Sequence, residues 1–307
     1  MPVLAEAPTL LSAVLHYAWA AILAELPPLL SAVLGYAWAA ILASAGQLAL
    51  LLGPGLALGL ALHVLSSFVN RRANRHLGRA HYLLFGWLGT AVHEVGHAAF
   101  CLLFAHRITD MKLFDFAPSD GSLGYVRHSY DRSSLYQRAG NFFIGIGPII
   151  FGTLVVIAAA RWLLGAEVLA RMHPAPWDGG LARSPAAWVA LARQVAAGAG
   201  QALGTLLVPS RLADWRAWAF LYIAFTVGSS ICLSTDDLEG AASGFATIVL
   251  LVLIGNLATL WWGEVLGPGV VALAGWLAVA YAALLFALAV NALAAVVVLV
   301  VPGLLRR

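Results

Sequence analysis

Charge is scarce in this 307-residue chain: 10% of its residues are Asp, Glu, Lys or Arg, where a typical soluble protein has about 25%. With 62% apolar residues and a mean hydropathy of +0.89, it lacks the polar surface of a water-soluble globule. It also lacks the low hydrophobicity of a disordered segment and the basic face of a nucleic-acid binder. Nucleic acid is excluded as a partner, and an integral, multi-pass membrane protein is what remains. Lysine is nearly missing, Lys112 standing alone among 17 basic residues, which against 14 acidic ones leave a net charge of +3. So small an excess implies loops resting on the headgroups of a lipid bilayer more than an anionic partner. Cysteine is limited to Cys101 and Cys232, both within apolar stretches, which argues against a disulfide framework. The chain opens Met1-Pro2 with an early Glu6 and no basic region, so no cleaved signal peptide is expected.

Apolar runs are what the chain has in quantity. A spanning helix needs about 20 mostly apolar residues. Qualifying windows are Thr9 to Leu52, broken at Pro27-Pro28, then Leu56 to Val69, 81–105, 141–163, 217–233, 241–262 and 268–307. Residues 164–215 read as a largely helical loop, with Arg193 and Gln194 in the middle of its longest apolar stretch. Trp162, Trp215, Trp218, Trp261 and Trp262 fall at window ends, where an interfacial aromatic belt belongs. The predicted fold is an all-α polytopic membrane protein of about six or seven transmembrane helices. It divides into N-terminal membrane segments (1–70), a core (81–262) and a C-terminal helix (268–307). Charge does not set its orientation. Arg71, Arg72, Arg75 and Arg79 with six basic residues in 161–216 are nearly matched by five in 107–138 with Arg306 and Arg307.

One internal repeat is present. Leu10–Ala24 recurs as Leu29–Ala43, differing only at His16 against Gly35. Two units fall short of the roughly three a solenoid needs, so the copies (10–24 and 29–43) read as membrane or interfacial helices. Their small residues and their Tyr17-Trp19 and Tyr36-Trp38 pairs suit packing against a membrane partner.

Within 81–105 stands His93-Glu94-Val95-Gly96-His97. On a helix, His93 and His97 are one turn apart on one face and can reach a single Zn²⁺, while Glu94, about 100° round, can address a water beside it as general base. Ionisable residues at that depth in a bilayer are costly and point to function. A catalytic zinc takes a third protein ligand. The next turns, Ala98 to Ala105, supply none, and His106 is too far round the helix. The remaining acidic cluster is Ser234-Thr235-Asp236-Asp237-Leu238-Glu239-Gly240, which reads either as a ligand source or as the polar cap of a helix starting near Ala241.

The segment Ala91 to Ala99 around that motif resembles the HExGH helix of the site-2 protease family of intramembrane zinc metalloproteases. Three weaker features agree with the likeness over about residues 81–262. Met111–Phe116 and Gly124–Tyr130, flanking Pro118-Ser119-Asp120-Gly121, resemble the family's membrane-associated β-hairpin, here within 107–138. Gly147-Pro148 resembles its Gly-Pro span, and Ser234, Asp237 and Gly240 resemble the Ser-x-x-Asp-x-x-Gly motif of a divergent branch. The resemblance implies His93, His97 and Asp237, rather than Asp236, as zinc ligands, Glu94 as the catalytic residue, and a hairpin that holds substrate. Phe114 and Val126 are the expected hairpin contacts. The family's asparagine after Gly-Pro is replaced by Phe151, leaving Asn141, Asn256 or Asn291 to take its place. The expected setting is a bacterial cytoplasmic membrane, with a membrane protein as substrate. Two other functions compete: a non-proteolytic membrane scaffold or assembly subunit, against which the intact Glu94 argues, and a peptidase of prenylated proteins using Glu167 or Glu264 as third ligand.

Overall fold

The computed structural model describes residues 14–20, 28–117, 123–172, 185–231, 235–263 and 265–304. Residues 14–20, in the first copy of the repeat, are helical. The labelled helices are α1 (Pro28–Leu77), α2 (Trp87–Leu103), α3 (Leu135–Gly145), α4 (Gly147–Ala159), α5 (Pro185–Leu206), α6 (Trp215–Ser230), α7 (Thr235–Thr259) and α8 (Leu266–Leu304). The two strands are β1 (Arg107–Lys112) and β2 (Tyr125–Ser129), paired antiparallel.

Four helices are long and apolar enough to cross a membrane among the described residues, Leu30–Leu77, Gly147–Leu164, Asp237–Trp262 and Leu266–Leu299. The chain is therefore a mostly helical membrane protein with fewer such helices than the six or seven expected. Three causes account for the difference. The windows on either side of Gly53-Pro54-Gly55 merge into the one 50-residue helix α1. The helix of α2 runs on unbroken from Arg79 through Tyr82–Gly86, but His93, Glu94 and His97 make it less apolar, and α6, with 16 residues, is short against the roughly 20 of a full span.

A proline inside a helix removes one hydrogen bond and normally kinks or ends it. The helix nonetheless runs on through Pro54, which deprives the Leu50 carbonyl of its intrahelical donor, and α8 packs along α1 there. The Tyr281 hydroxyl gives its hydrogen to the Leu51 carbonyl at 2.7 Å. Gly55 lets that ring in, since a Cβ there would lie 3.3 Å from it. A second polar clamp joins α1 to α7: Asn256 donates to Ser44 Oγ at 2.8 Å and to Gln47 Oε1 at 2.9 Å. Such bonds between membrane helices contribute about 0.6 kcal/mol each. The apolar core lies where α1, α4, α6 and α8 meet, around Leu50, Leu62, Val156, Phe220 and Phe286.

The window 141–163 is broken at Ile146, with Pro148 in the first turn of α4. Strand β1 begins at Arg107, four residues before the expected Met111, and Phe114 lies beyond its end. The Pro118–Gly121 turn lies outside the described residues. From its base the hairpin runs back along α2. Gly124 sits over Glu94, where a Cβ would be 2.8 Å from Cγ, and Arg79, just before α2, donates to the Phe116 carbonyl at 2.6 Å.

Candidate metal centre

The site forms where α2 crosses α4 and the first turn of α7. On α2 the one-turn spacing puts both imidazoles on one face, and Nε2 of His93 lies 3.1 Å from Nε2 of His97. Asp237 approaches from α7, its Oδ1 3.1 Å from His97 Nε2 and its Oδ2 3.8 Å from His93 Nε2. The helix begins at Thr235, not near Ala241, so Asp237 belongs to its first turn and not to a separate loop.

Glycines bring these elements together. A Cβ on Gly96 would lie 3.0 Å from three main-chain atoms of Gly147 and Pro148, and one on Gly147 would lie 2.8 Å from the Gly96 oxygen. A Cβ on Gly145 would lie 2.6 Å from the Asp237 oxygen and 2.7 Å from Ala241 Cβ. Close approach of main chains through small residues is the usual way membrane helices pack.

Each ligand ring is oriented by a carbonyl that its own helix leaves free. Nδ1 of His97 lies 2.8 Å from the Ile144 oxygen. The residue four positions on is Pro148, which has no N–H to occupy that carbonyl. Nδ1 of His93 lies 2.8 Å from the oxygen of Ser230, the last residue of α6, where the carbonyls have no intrahelical donor. Carbonyls only accept, so both rings carry hydrogen on Nδ1, and in their neutral form they direct lone pairs from Nε2 toward one point. Two ring nitrogens and a carboxylate this close together can share either a proton or a cation. His93, His97 and Asp237 thus form a group that could hold a metal ion, their ligand atoms lying within 4.8 Å of one another. Tetrahedral coordination at about 2.0–2.1 Å requires ligand atoms about 3.3 Å apart; the Nε2–Nε2 and His97–Oδ1 separations, both 3.1 Å, are near that value, while His93 meets the other Asp237 oxygen at 3.8 Å.

The group opens on a cavity of 360 Å³ lined by Glu94, Gly124, Val126, Asn141 and Gly240, among others. Glu94 is buried and follows His93 directly, which turns it from the ligand face toward this cavity. Asn141 donates to Ser243 Oγ at 3.3 Å. Of the three asparagines offered for the missing family residue it alone lines the cavity, since Asn256 clamps α1 and Asn291 donates to the Ala287 carbonyl. Phe114 lies apart, in a neighbouring 500 Å³ cavity with Arg79 and Tyr82, its ring edge-on to Phe116 at 4.9 Å.

Gly124, Tyr125, Val126 and His128 all line the metal cavity, and none of β1 does. Neighbouring residues of a strand point to opposite faces, so β2 borders the cavity with its edge. Thr109 Oγ1 donates to the Arg127 oxygen at 3.1 Å, which places the Arg127 main chain toward β1 and, by alternation, that of Val126 on the open edge.

Sequence reasoning passed over His128 and the two orienting carbonyls. The proline four residues after Ile144 was the available signal for one of them. Ser234, the Asp236 side chain and Glu264 lie outside the described residues, and Glu167, on the short helix Ala166–Met172, is not in the metal-binding group. Comparison with protein-family models, with curated proteins and with solved structures finds no match.

Proposed function

We propose that the chain is an intramembrane zinc endopeptidase that hydrolyses a peptide bond in or near a transmembrane segment of another membrane protein. The observation that carries this reading is the convergence of His93, His97 and Asp237 beside Glu94 in a cavity bordered by an unpaired strand edge. His93 and His97 through Nε2 and Asp237 through its carboxylate would hold the zinc, as a two-nitrogen, one-oxygen set suits that ion with a position left open. When bound, the ion supplies Lewis-acid polarisation of a carbonyl and acidifies water near neutral pH. Glu94 takes the proton of the attacking water on its carboxylate and hands it to the departing amine nitrogen, so that water and peptide become a carboxylate and an amine.

Main-chain groups of Val126 on the open edge of β2 hold the substrate as an added strand. A helical substrate has its amides bonded internally, so it must unwind locally before it can pair with that edge. This predicts weak sequence preference and strong dependence on helix-breaking residues. The location that fits is a cytoplasmic membrane, and the exposed Tyr17 of the first repeat copy offers a face to a membrane partner.

The test is membrane proteomics on cells carrying the wild type or Glu94→Gln. A membrane protein that accumulates uncut only in the variant supports the reading. Identical membrane proteomes under conditions where the protein is made would refute it.

A further inference from the structure

A second histidine pair, separate from the metal-binding group, reaches the same cavity. His106 follows the end of α2 and is buried. Its Nε2 lies 2.8 Å from the Gln137 oxygen, and its Nδ1 lies 3.0 Å from Nδ1 of His128 on β2. The Tyr130 ring stacks on it at 5.0 Å and 17°. Gly140 leaves it room, since a Cβ there would be 3.1 Å from Nε2.

The proton order in the neutral pair is forced. The Gln137 carbonyl only accepts, so Nε2 of His106 carries hydrogen and its Nδ1 is bare. His128 then donates from Nδ1, and its own Nε2 is left with a lone pair. Burial, the largest cause, holds the pKa of His128 below its ordinary value, which favours the neutral ring. Nδ1 of His128 is turned to His106, and His128 is among the residues that line the cavity.

We propose that His128 is a substrate-contacting residue whose Nε2 accepts a hydrogen bond from a main-chain N–H of the chain bound along β2, with His106 as the positioning residue that fixes its tautomer. A bare ring nitrogen needs a donor, and an extended peptide presents main-chain donors whatever its side chains are, in keeping with weak sequence preference. His128 transfers no proton in this role. The inference rests on the peptidase reading for its substrate class.

The experiment uses the full-length protein in nanodiscs and a synthetic transmembrane peptide with a central Gly-Pro break. In cleavage assays His128→Ala should raise KM about tenfold, equivalent to about 1.4 kcal/mol and in the range of one hydrogen bond. Its kcat should change less than about twofold, and its zinc content should equal that of the wild type. His128→Gln, which restores an acceptor oxygen, should recover part of the loss. In the uncleaving Glu94→Gln background, His128→Ala should weaken peptide binding by the same factor. There the Nε2 ¹⁵N resonance of His128 should start at the bare-nitrogen position and shift when peptide is added.

Equal peptide binding with and without His128, or loss of zinc in His128→Ala, would overturn the proposal. A wild type that binds the peptide but never cleaves it would overturn the peptidase reading alone, and the His128 contact would then be decided by the binding and resonance data.

Discussion

Gly96→Ala tests how the metal ligands are held. A methyl group there would lie 3.0 Å from main-chain atoms of Gly147 and Pro148, which cannot rotate aside, whereas ordinary van der Waals contact begins at 3.4 Å. The helices α2 and α4 must therefore part by about 0.4 Å, twice the roughly 0.2 Å tolerance of metal–ligand distances. The same movement stretches the 2.8 Å contact between His97 Nδ1 and the Ile144 carbonyl, and loss of such an orienting bond typically costs about 10–100-fold in metal affinity. Overpacking should add about 1–3 kcal/mol of destabilisation. The assay is zinc competition against a chelator on detergent-solubilised protein, paired with thermal unfolding. Gly275→Ala on α8 is the control, since nothing lies within 4 Å of its added Cβ. Alanine favours a helix over glycine by up to about 1 kcal/mol, so that variant should keep zinc and lose no stability. Wild-type zinc affinity in Gly96→Ala would refute the reasoning.

Three further outcomes are expected. Metal analysis of the purified protein should find about one zinc per chain, and the His93→Ala/His97→Ala double variant should hold almost none. Asp237→Ala should lose both zinc and proteolysis, while Asp236→Ala should keep zinc, as read by the same analysis and by peptide cleavage. Val126→Pro removes an edge N–H and places a ring where the substrate strand would pair; it should slow cleavage at least about tenfold, a loss of about 1.4 kcal/mol, without releasing zinc.

The parts of the site that were legible in the sequence are those set by local geometry. His93 and His97 share a face because a helix turns every 3.6 residues, and no tertiary knowledge is needed to see it. Placing Asp237 beside them depends on α7 starting at Thr235 and on Gly145 admitting its first turn, a contact across more than 90 residues of sequence. The likeness to the family's hairpin set the first strand at Met111–Phe116, whereas Phe114 lies past the end of β1. The pairing of Arg107 with Ser129 and of Lys112 with Tyr125 decides it instead. The helix count failed at Pro54, where the local rule predicts a break and the helix runs on, packed against α8, whose Tyr281, 230 residues from Leu51, donates to the Leu51 carbonyl. The repeat shows the same limit. Tyr17 is 78% exposed, whereas its counterpart Tyr36 donates to the Leu257 carbonyl at 2.7 Å. Near-identical sequence thus meets different surroundings.

The most direct test of the central claim is the cleavage of a transmembrane peptide by the reconstituted, zinc-loaded protein and by Glu94→Gln at equal zinc content. The account predicts that the wild type cuts the peptide, that the variant retains its zinc, and that the variant is slower by at least about 100-fold, the lower range for loss of a general base. Cleavage at equal rates, or none by the wild type at full zinc occupancy, would contradict it.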